Sequence, residues 1–313
     1  MCDIISIEIC AKINLILDVI DKRSDGYHNI NSVFHSLMVN DKLTIKKAAK
    51  KSISTNDPLL PLDENNLILR AIAELEKEVS KELNCAFVLE KRIPVAAGLG
   101  GGSANAAGAL ILANKLFNLC LTDDDLSLVA AKVGADVPFM LKGGAALVEG
   151  IGDKITPIEP APDWGLLLIK PPFGIKTKEA YQLLDKEQIE HFDVNRVVLA
   201  MKNQDYKALT NALGNSFAKP IFKRCPSLQM IASELENLGI STFSLTGSGP
   251  TIFAFTENNL AGDILQENLE KRLDNWYWPE NHGNDPLISK GKDEKPWICF
   301  THLSPQGWFL STM

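Results

Sequence analysis

The sequence predicts an α+β protein of two domains, with residues 1–160 forming the first and residues 161–313 the second. Three observations carry this. Near the start, apolar and polar residues alternate with a period of two. Strand-like and helical stretches then follow one another without the regular alternation of a doubly wound sheet. Pro160-Ala161-Pro162 breaks the chain near its middle, and 313 residues suit one large or two medium cores.

Each element has a local reason. Over residues 5–19 every odd position is apolar (Ile5, Ile7, Ile9, Ala11, Ile13, Leu15, Leu17, Val19) and most even positions are polar. That predicts a long half-buried strand, with Lys12 and Asn14 together on its non-core side. A turn at Arg23-Ser24-Asp25-Gly26 precedes strand-like segments over 32–39 and 42–45. Asp63-Glu64-Asn65-Asn66 opens a helix reaching about Val79, and residues 86–90 form a strand leading to Arg92-Ile93-Pro94. Thr122 and Asp125 make a capping box for a helix ending at Gly134, and 143–158 reads as a hairpin. Beyond the break come a strand at 164–169, a helix at 226–238 with proline first and Gly239 after it, and strands at 241–245 and 251–256. Residues 276–296, rich in Asn, Gly, Pro and Lys, are expected to be an exposed excursion, and 297–301 a last strand.

Composition excludes some functions. A net charge of −7 argues against a nucleic-acid backbone or an anionic membrane as the main partner, since both call for a concentrated positive field. Lys46, Lys47, Lys50 and Lys51 read as a solvated strand end. The six cysteines, Cys2, Cys10, Cys85, Cys120, Cys225 and Cys299, have no C-x-x-C pair among them and are expected to be reduced and mostly buried. No apolar run approaches the roughly 20 residues of a membrane span, and no signal peptide is visible. The expectation is a soluble cytoplasmic protein.

The most informative stretch is VAAGLGGGSANAAGAL, residues 95–110. It lacks the lysine of G-x-x-x-x-G-K-[ST], and Ser103 stands where G-x-G-x-x-G requires its last glycine. Glycines still let a backbone approach an anion closely, and the alanine-rich run behind them predicts a helix whose first N–H groups face the loop. Ser103 adds a hydroxyl for a phosphate or for Mg²⁺. The competing reading is a turn that merely lets an alanine-rich helix pack closely.

The stretch from Pro94 through Gly98-Leu99-Gly100-Gly101-Gly102-Ser103 resembles the phosphate-binding motif of the GHMP kinases. Other motifs of that family follow in its order: Ala11-Lys12-Ile13-Asn14-Leu15, Gly134-Ala135-Asp136-Val137-Pro138, and Leu245-Thr246-Gly247-Ser248-Gly249-Pro250. The Asp25-Gly26-Tyr27-His28 turn, the Asp63–Leu67 helix start and Gly150-Ile151-Gly152 narrow the likeness to the branch acting on a cytidine diphosphate-linked methylerythritol.

The resemblance implies a two-domain GHMP kinase fold with the active site in the inter-domain cleft, and phosphoryl transfer from ATP, with Mg²⁺, to an alcohol. It makes Asp136 the base and Lys12 its electrostatic partner, with Asn14 positioning substrate hydroxyls. It places Pro94 and Gly98, Leu99, Gly100, Gly101, Gly102 and Ser103 at the phosphates, with Asn66, Leu67 and Lys91 near adenine and ribose. Tyr27, His28 and Phe34 would take the cytosine, and Thr246, Gly247 and Gly249 would close the site. The family's further aromatic aligns with Ile175, so either Phe173, two residues earlier, stacks in its stead or fewer aromatic contacts hold the cytosine. Two alternatives remain: a GHMP kinase for homoserine or mevalonate, or a catalytically silent ligand sensor. The Tyr27-His28 turn speaks against the first, and the presence of both Lys12 and Asp136 against the second.

Overall fold

The computed structural model describes residues 4–256, 261–291 and 294–311. The period-two segment forms one strand, Ile4–Lys22, paired antiparallel along its length with His28–Lys47. The two strand-like segments expected at 32–39 and 42–45 are thus parts of a single strand.

The other edge of His28–Lys47 has three partners in succession. Residues 30–35 pair with the strand Ala145–Gly150, Leu37 and Ser36 with Trp297–Ser304, and residues 42–47 with Cys85–Glu90. Trp297–Ser304 continues into Gly165–Lys170, then Ile252–Phe255 and Phe243–Leu245. Among the described residues, one twelve-stranded sheet therefore runs through both halves of the chain.

On the amino-terminal side, the helices Leu67–Val79, Gly101–Leu116, Asp123–Val133 and Val137–Lys142 bury their apolar faces with residues such as Ile7, Leu43 and Phe87. Thr122 and Asp125 form the expected capping box, and Gly134 ends that helix. The hairpin is Ala145–Gly150 with Lys154–Ile158. A second core gathers Leu167, Ile169, Phe217, Leu228 and Leu269. No helix among the described residues is long and apolar enough to cross a membrane.

Three expectations change, and that of mostly buried cysteines holds. Residues 276–296 are not simply exposed: Trp278, Leu287 and Ile288 are buried, and the Glu280 carboxylate accepts from the Ser227 N–H at 3.0 Å. Within that segment Ile288–Lys290 pairs with Phe173–Ile175, because enough apolar residues lie among the polar ones to dock it. Trp297–Ser304 is not the last strand, since Trp308–Ser311 follows and pairs with Ile4–Lys22. Phe173 and Ile175 face the second core, packed with Ile288, and do not reach the main cavity. Of the cysteines, Cys10, Cys85 and Cys225 are buried and their thiols pushed up to about 12 by desolvation, whereas Cys120 is exposed and Cys2 lies outside the described residues.

Candidate active site

A cavity of about 750 Å³ opens between the halves, with Lys12, Asp136, Gly98 and Gly100 at one end and Tyr27, His28, Tyr181 and Asp185 at the other. The first strand changes course here. Its pairing shifts between Cys10 and Lys12 and again between Asn14 and Ile16, so the segment 12–14 is bracketed by two irregularities. Lys12 and Asn14 share a face as expected, and the Lys12 ammonium donates to Asn14 Oδ1 at 2.8 Å. That face is not solvated, however: Lys12 is 4% and Asn14 3% exposed.

The buried ammonium is compensated on several sides, as a desolvated charge must be. It lies 3.4 Å from Asp136 Oδ2 and 4.2 Å above the centroid of the Phe34 ring. Phe34 is 2% exposed and held edge-on by Phe139, so it supports the lysine rather than offering a free stacking face. Asp136 occupies the position before the helix Val137–Lys142 but makes no capping bond, leaving its carboxylate, 32% exposed, open to the cavity. Pro138 in the first turn of that helix restricts the backbone that presents it.

The glycine loop enters a helix as expected, but the helix begins at Gly101, so Gly101, Gly102 and Ser103 form its first turn. Gly100 caps it in the left-handed region (φ +69), where a side chain would meet Met140 Cε at 2.3 Å. Gly98 (φ +75) has the Thr246 carbonyl 2.4 Å from where a Cβ would stand. The Thr246 hydroxyl lies 3.1 Å from the Gly98 carbonyl and accepts from the Asn14 N–H at 3.1 Å. The Lys12 N–H donates to the Leu99 carbonyl at 3.0 Å, while the Leu99 side chain is buried. Strand, loop and the Thr246–Gly249 turn thus meet around one point, with Gly247 at the cavity wall. Gly249 lies instead against Ile175.

A second cavity, about 230 Å³, lies beside the entry to the loop and is lined by Lys91, Pro94, Ala96 and Lys290, among others. Leu67 approaches the loop at Gly102. Asn66 caps its helix: its Oδ1 accepts from the Ile68 N–H at 3.0 Å and its Nδ2 donates to the Pro61 carbonyl at 2.7 Å. Both polar atoms of that side chain are committed to the fold. The Lys91 ammonium turns inward to Asp41 Oδ2 at 2.6 Å, and its pKa is lowered by burial against the opposing pull of Asp41.

At the far end, Tyr27 stands at the rim, 62% exposed. His28 is buried, stacked on Tyr181 at 4.5 Å between centroids, with Nε2 2.7 Å from Asp185 Oδ1. A hydrogen bond from Lys22 holds the Asp185 carboxyl below its usual range, with His28 contributing further. Because an ionised carboxylate only accepts, His28 carries its proton on Nε2. Burial pushes the Tyr181 hydroxyl up to about 12, and the nearby Asp136 charge adds to this.

The amino-terminal model of the GHMP kinases matches residues 66–144, and the carboxy-terminal model matches residues 197–275. The chain is 39% identical over 265 residues to the 4-diphosphocytidyl-2-C-methyl-D-erythritol kinase of Lachnoclostridium phytofermentans, covering 83% of this chain and 91% of that protein. It is 38% identical to the kinase of the same name from Geobacillus kaustophilus, covering 82% and 89%. A crystal structure of 4-(cytidine 5'-diphospho)-2C-methyl-D-erythritol kinase superposes with a TM-score of 0.74 at 25% identity, covering 95% of this chain and 99% of that one. The chain belongs to the GHMP kinases, in the 4-diphosphocytidyl-2-C-methyl-D-erythritol kinase family.

It is an ATP-dependent small-molecule kinase. Homoserine kinase from Cytophaga hutchinsonii superposes with a TM-score of 0.75 at 19% identity, a likeness of fold.

Among the residues of this GHMP kinase's cavity that sequence reasoning missed are Tyr181 and Asp185. An aromatic ring stands in the cavity at Tyr181, in the helix Thr177–Leu184, stacked on His28, where Phe173 and Ile175 do not reach. Tyr181 follows Thr177 by one helical turn, so both face the cavity, a spacing that could have revealed it. Asp185 carried no local signal, because its partners Lys22 and His28 are remote in sequence.

Proposed function

We propose that this kinase transfers the γ-phosphoryl group of ATP to the 2-hydroxyl of 4-diphosphocytidyl-2-C-methyl-D-erythritol, in isoprenoid precursor biosynthesis. The observation that carries this is the continuity of the main cavity, which brings the aromatic rings of Tyr27 and Tyr181 and the His28 imidazole into one lining with a carboxylate, an ammonium and the glycine loop. A substrate with a cytosine at one end and a reacting alcohol at the other fits that layout. Homoserine and mevalonate carry no base for Tyr27, His28 and Tyr181 to hold.

Asp136 accepts the proton of the 2-hydroxyl. The oxygen then attacks the γ-phosphorus, the bond to the β–γ bridging oxygen breaks, and ADP leaves. Lys12 stabilises the charge on the oxygen as it forms, and Asn14 keeps the ammonium aimed through its 2.8 Å hydrogen bond. Backbone N–H groups of residues 98–103 and the helix end behind them receive the phosphates. Mg²⁺ suits this site as an ion carried by the triphosphate, with the Ser103 hydroxyl as a protein donor. No group of three His, Cys, Asp or Glu side chains that could cage a metal occurs among the described residues. Bound there, it would supply charge neutralisation at the phosphates.

Cytosine stacks between Tyr27 and Tyr181. With Nε2–H donating to Asp185, Nδ1 of His28 accepts from the exocyclic amine of cytosine, which uracil lacks. Residues 1–160 and 161–313 serve as the two domains that flank the substrates, and the net charge of −7 and the buried thiols suit a cytoplasmic enzyme of small molecules.

The test is ADP release by purified protein with ATP, Mg²⁺ and a panel of alcohols. Turnover with the cytidyl substrate is expected. Turnover with homoserine or mevalonate alone would overturn the substrate, and no turnover with any alcohol would favour a silent sensor.

A further inference from the structure

Asp41 lies at the middle of the strand His28–Lys47, 0% exposed, and lines neither cavity. A carboxylate so buried is tolerable only if its oxygens are fully engaged. Oδ1 accepts from the backbone N–H of Arg92 at 2.7 Å and of Ile93 at 2.8 Å. Oδ2 accepts from the Lys91 ammonium at 2.6 Å and from Asn105 Nδ2 at 2.8 Å. Lys91 also donates to the Ile93 carbonyl.

These donors stand on both shoulders of the phosphate loop: residues 91–93 lead into it, and Asn105 belongs to the helix that leaves it. The loop rests directly on this cluster. A Cβ on Gly101 would stand 2.9 Å from Lys91 Nζ and 3.0 Å from Ile93 Cγ2. From the other side, Gly98 meets the Thr246 carbonyl and Gly100 meets Met140.

We propose that Asp41 is the positioning residue of the phosphate loop, tying its entry and its exit helix to the central strand through Lys91, Asn105 and the backbone of residues 92–93, so that the loop's N–H groups are aimed before ATP arrives. Four separate donors converge on one carboxylate, where a single bond would suffice to pin the strand. A loop held from both shoulders needs no ordering when ATP binds, and phosphate contacts are sensitive to misplacement on the ångström scale. The inference rests on the reading that this loop receives ATP, and it gives Lys91 a role beneath the loop rather than against the nucleotide.

Two variants test it. Asn105→Ala removes one donor while leaving the ion pair intact. Asp41→Asn combined with Lys91→Met removes both charges, so that no unpaired buried charge remains to unfold the protein. ATP affinity and affinity for the cytidyl substrate are measured separately by calorimetry, beside the melting temperature. Both variants should bind ATP at least tenfold more weakly while affinity for the cytidyl substrate stays within twofold of wild type. ATP affinity within twofold of wild type in the folded variants, whatever happens to the melting temperature, overturns the proposal, because the cluster would then only stabilise the fold. Failure of the wild-type protein to bind ATP would instead overturn the functional reading.

Discussion

The Lys12 ammonium lies 3.4 Å from the Asp136 carboxylate, although one side chain comes from an amino-terminal strand and the other from a helix start. Both face the same cavity, beside Gly98 and Gly100. A carboxylate beside a fixed cation, next to a glycine loop at a helix start, suits making a hydroxyl nucleophilic without exposing the charge that forms.

Asp136→Asn should lower kcat by roughly 10²–10⁴-fold, the usual contribution of a positioned base, with ATP affinity near wild type. Lys12→Met should lower kcat by roughly 10²–10³-fold, as loss of one transition-state donor does. Steady-state kinetics alongside ATP titration separate the two effects. An Asp136→Asn enzyme with full turnover would remove the base from the mechanism.

Tyr181→Ala should raise KM for the cytidyl substrate roughly tenfold, since stacking on a base is worth about 1–3 kcal/mol. Tyr181→Phe keeps the ring and should stay close to wild type. KM for ATP should move in neither variant, because the tyrosine packs on His28 and Phe217 rather than on the loop. Equal behaviour of the Ala and Phe variants would exclude stacking.

Asp185→Asn should loosen the choice of base. An amide can either donate or accept, so Nε2 of His28 no longer has to carry the proton, and Nδ1 no longer has to accept. The preference for the cytidyl substrate over its uridyl analogue should fall by roughly tenfold, about one hydrogen bond. The ratio of the two kcat/KM values is the measurement, and an unchanged ratio removes Asp185 from recognition.

His35 sets a pH dependence of stability. It is fully buried, accepts the Ala161 N–H at 3.1 Å, and its pKa is lowered by desolvation to about 4 from 6.5. The unfolded chain therefore binds the extra proton first. Stability is complete above pH 6.5 and is lost as pH falls toward 4, by roughly 2 kcal/mol at pH 5 from this residue. Urea unfolding at pH 7 and pH 5 reads the loss directly. A His35→Gln variant should lose that portion of the slope, and an unchanged slope would place its origin elsewhere.

Much of the site was legible locally. The Gly98–Ser103 loop, Lys12, Asp136 and the Thr246–Gly249 turn each carry their chemistry within a few residues, and period-two alternation put Lys12 and Asn14 on one face. What alternation could not show is that this face is covered. Phe34, Phe139 and the helix Val137–Lys142 bury it, and irregular pairing on either side of residues 12–14 aims it at the cavity.

The rest needed the fold because its partners are distant in the chain. Composition made 276–296 read as an excursion, yet Trp278, Leu287 and Ile288 outweigh its polar residues once a strand edge is there to receive Ile288–Lys290. Phe173 read as a stacking ring by proximity to the expected position, but packing took it into a core and left Tyr181 to face His28. The sequence by itself determined most strands and helices of the amino-terminal half and which residues can carry charge, because those are properties of neighbours along the chain. Only the tertiary structure decided that Lys91 belongs to Asp41 and Asp185 to His28, because burial forces each charge to find its complement in space.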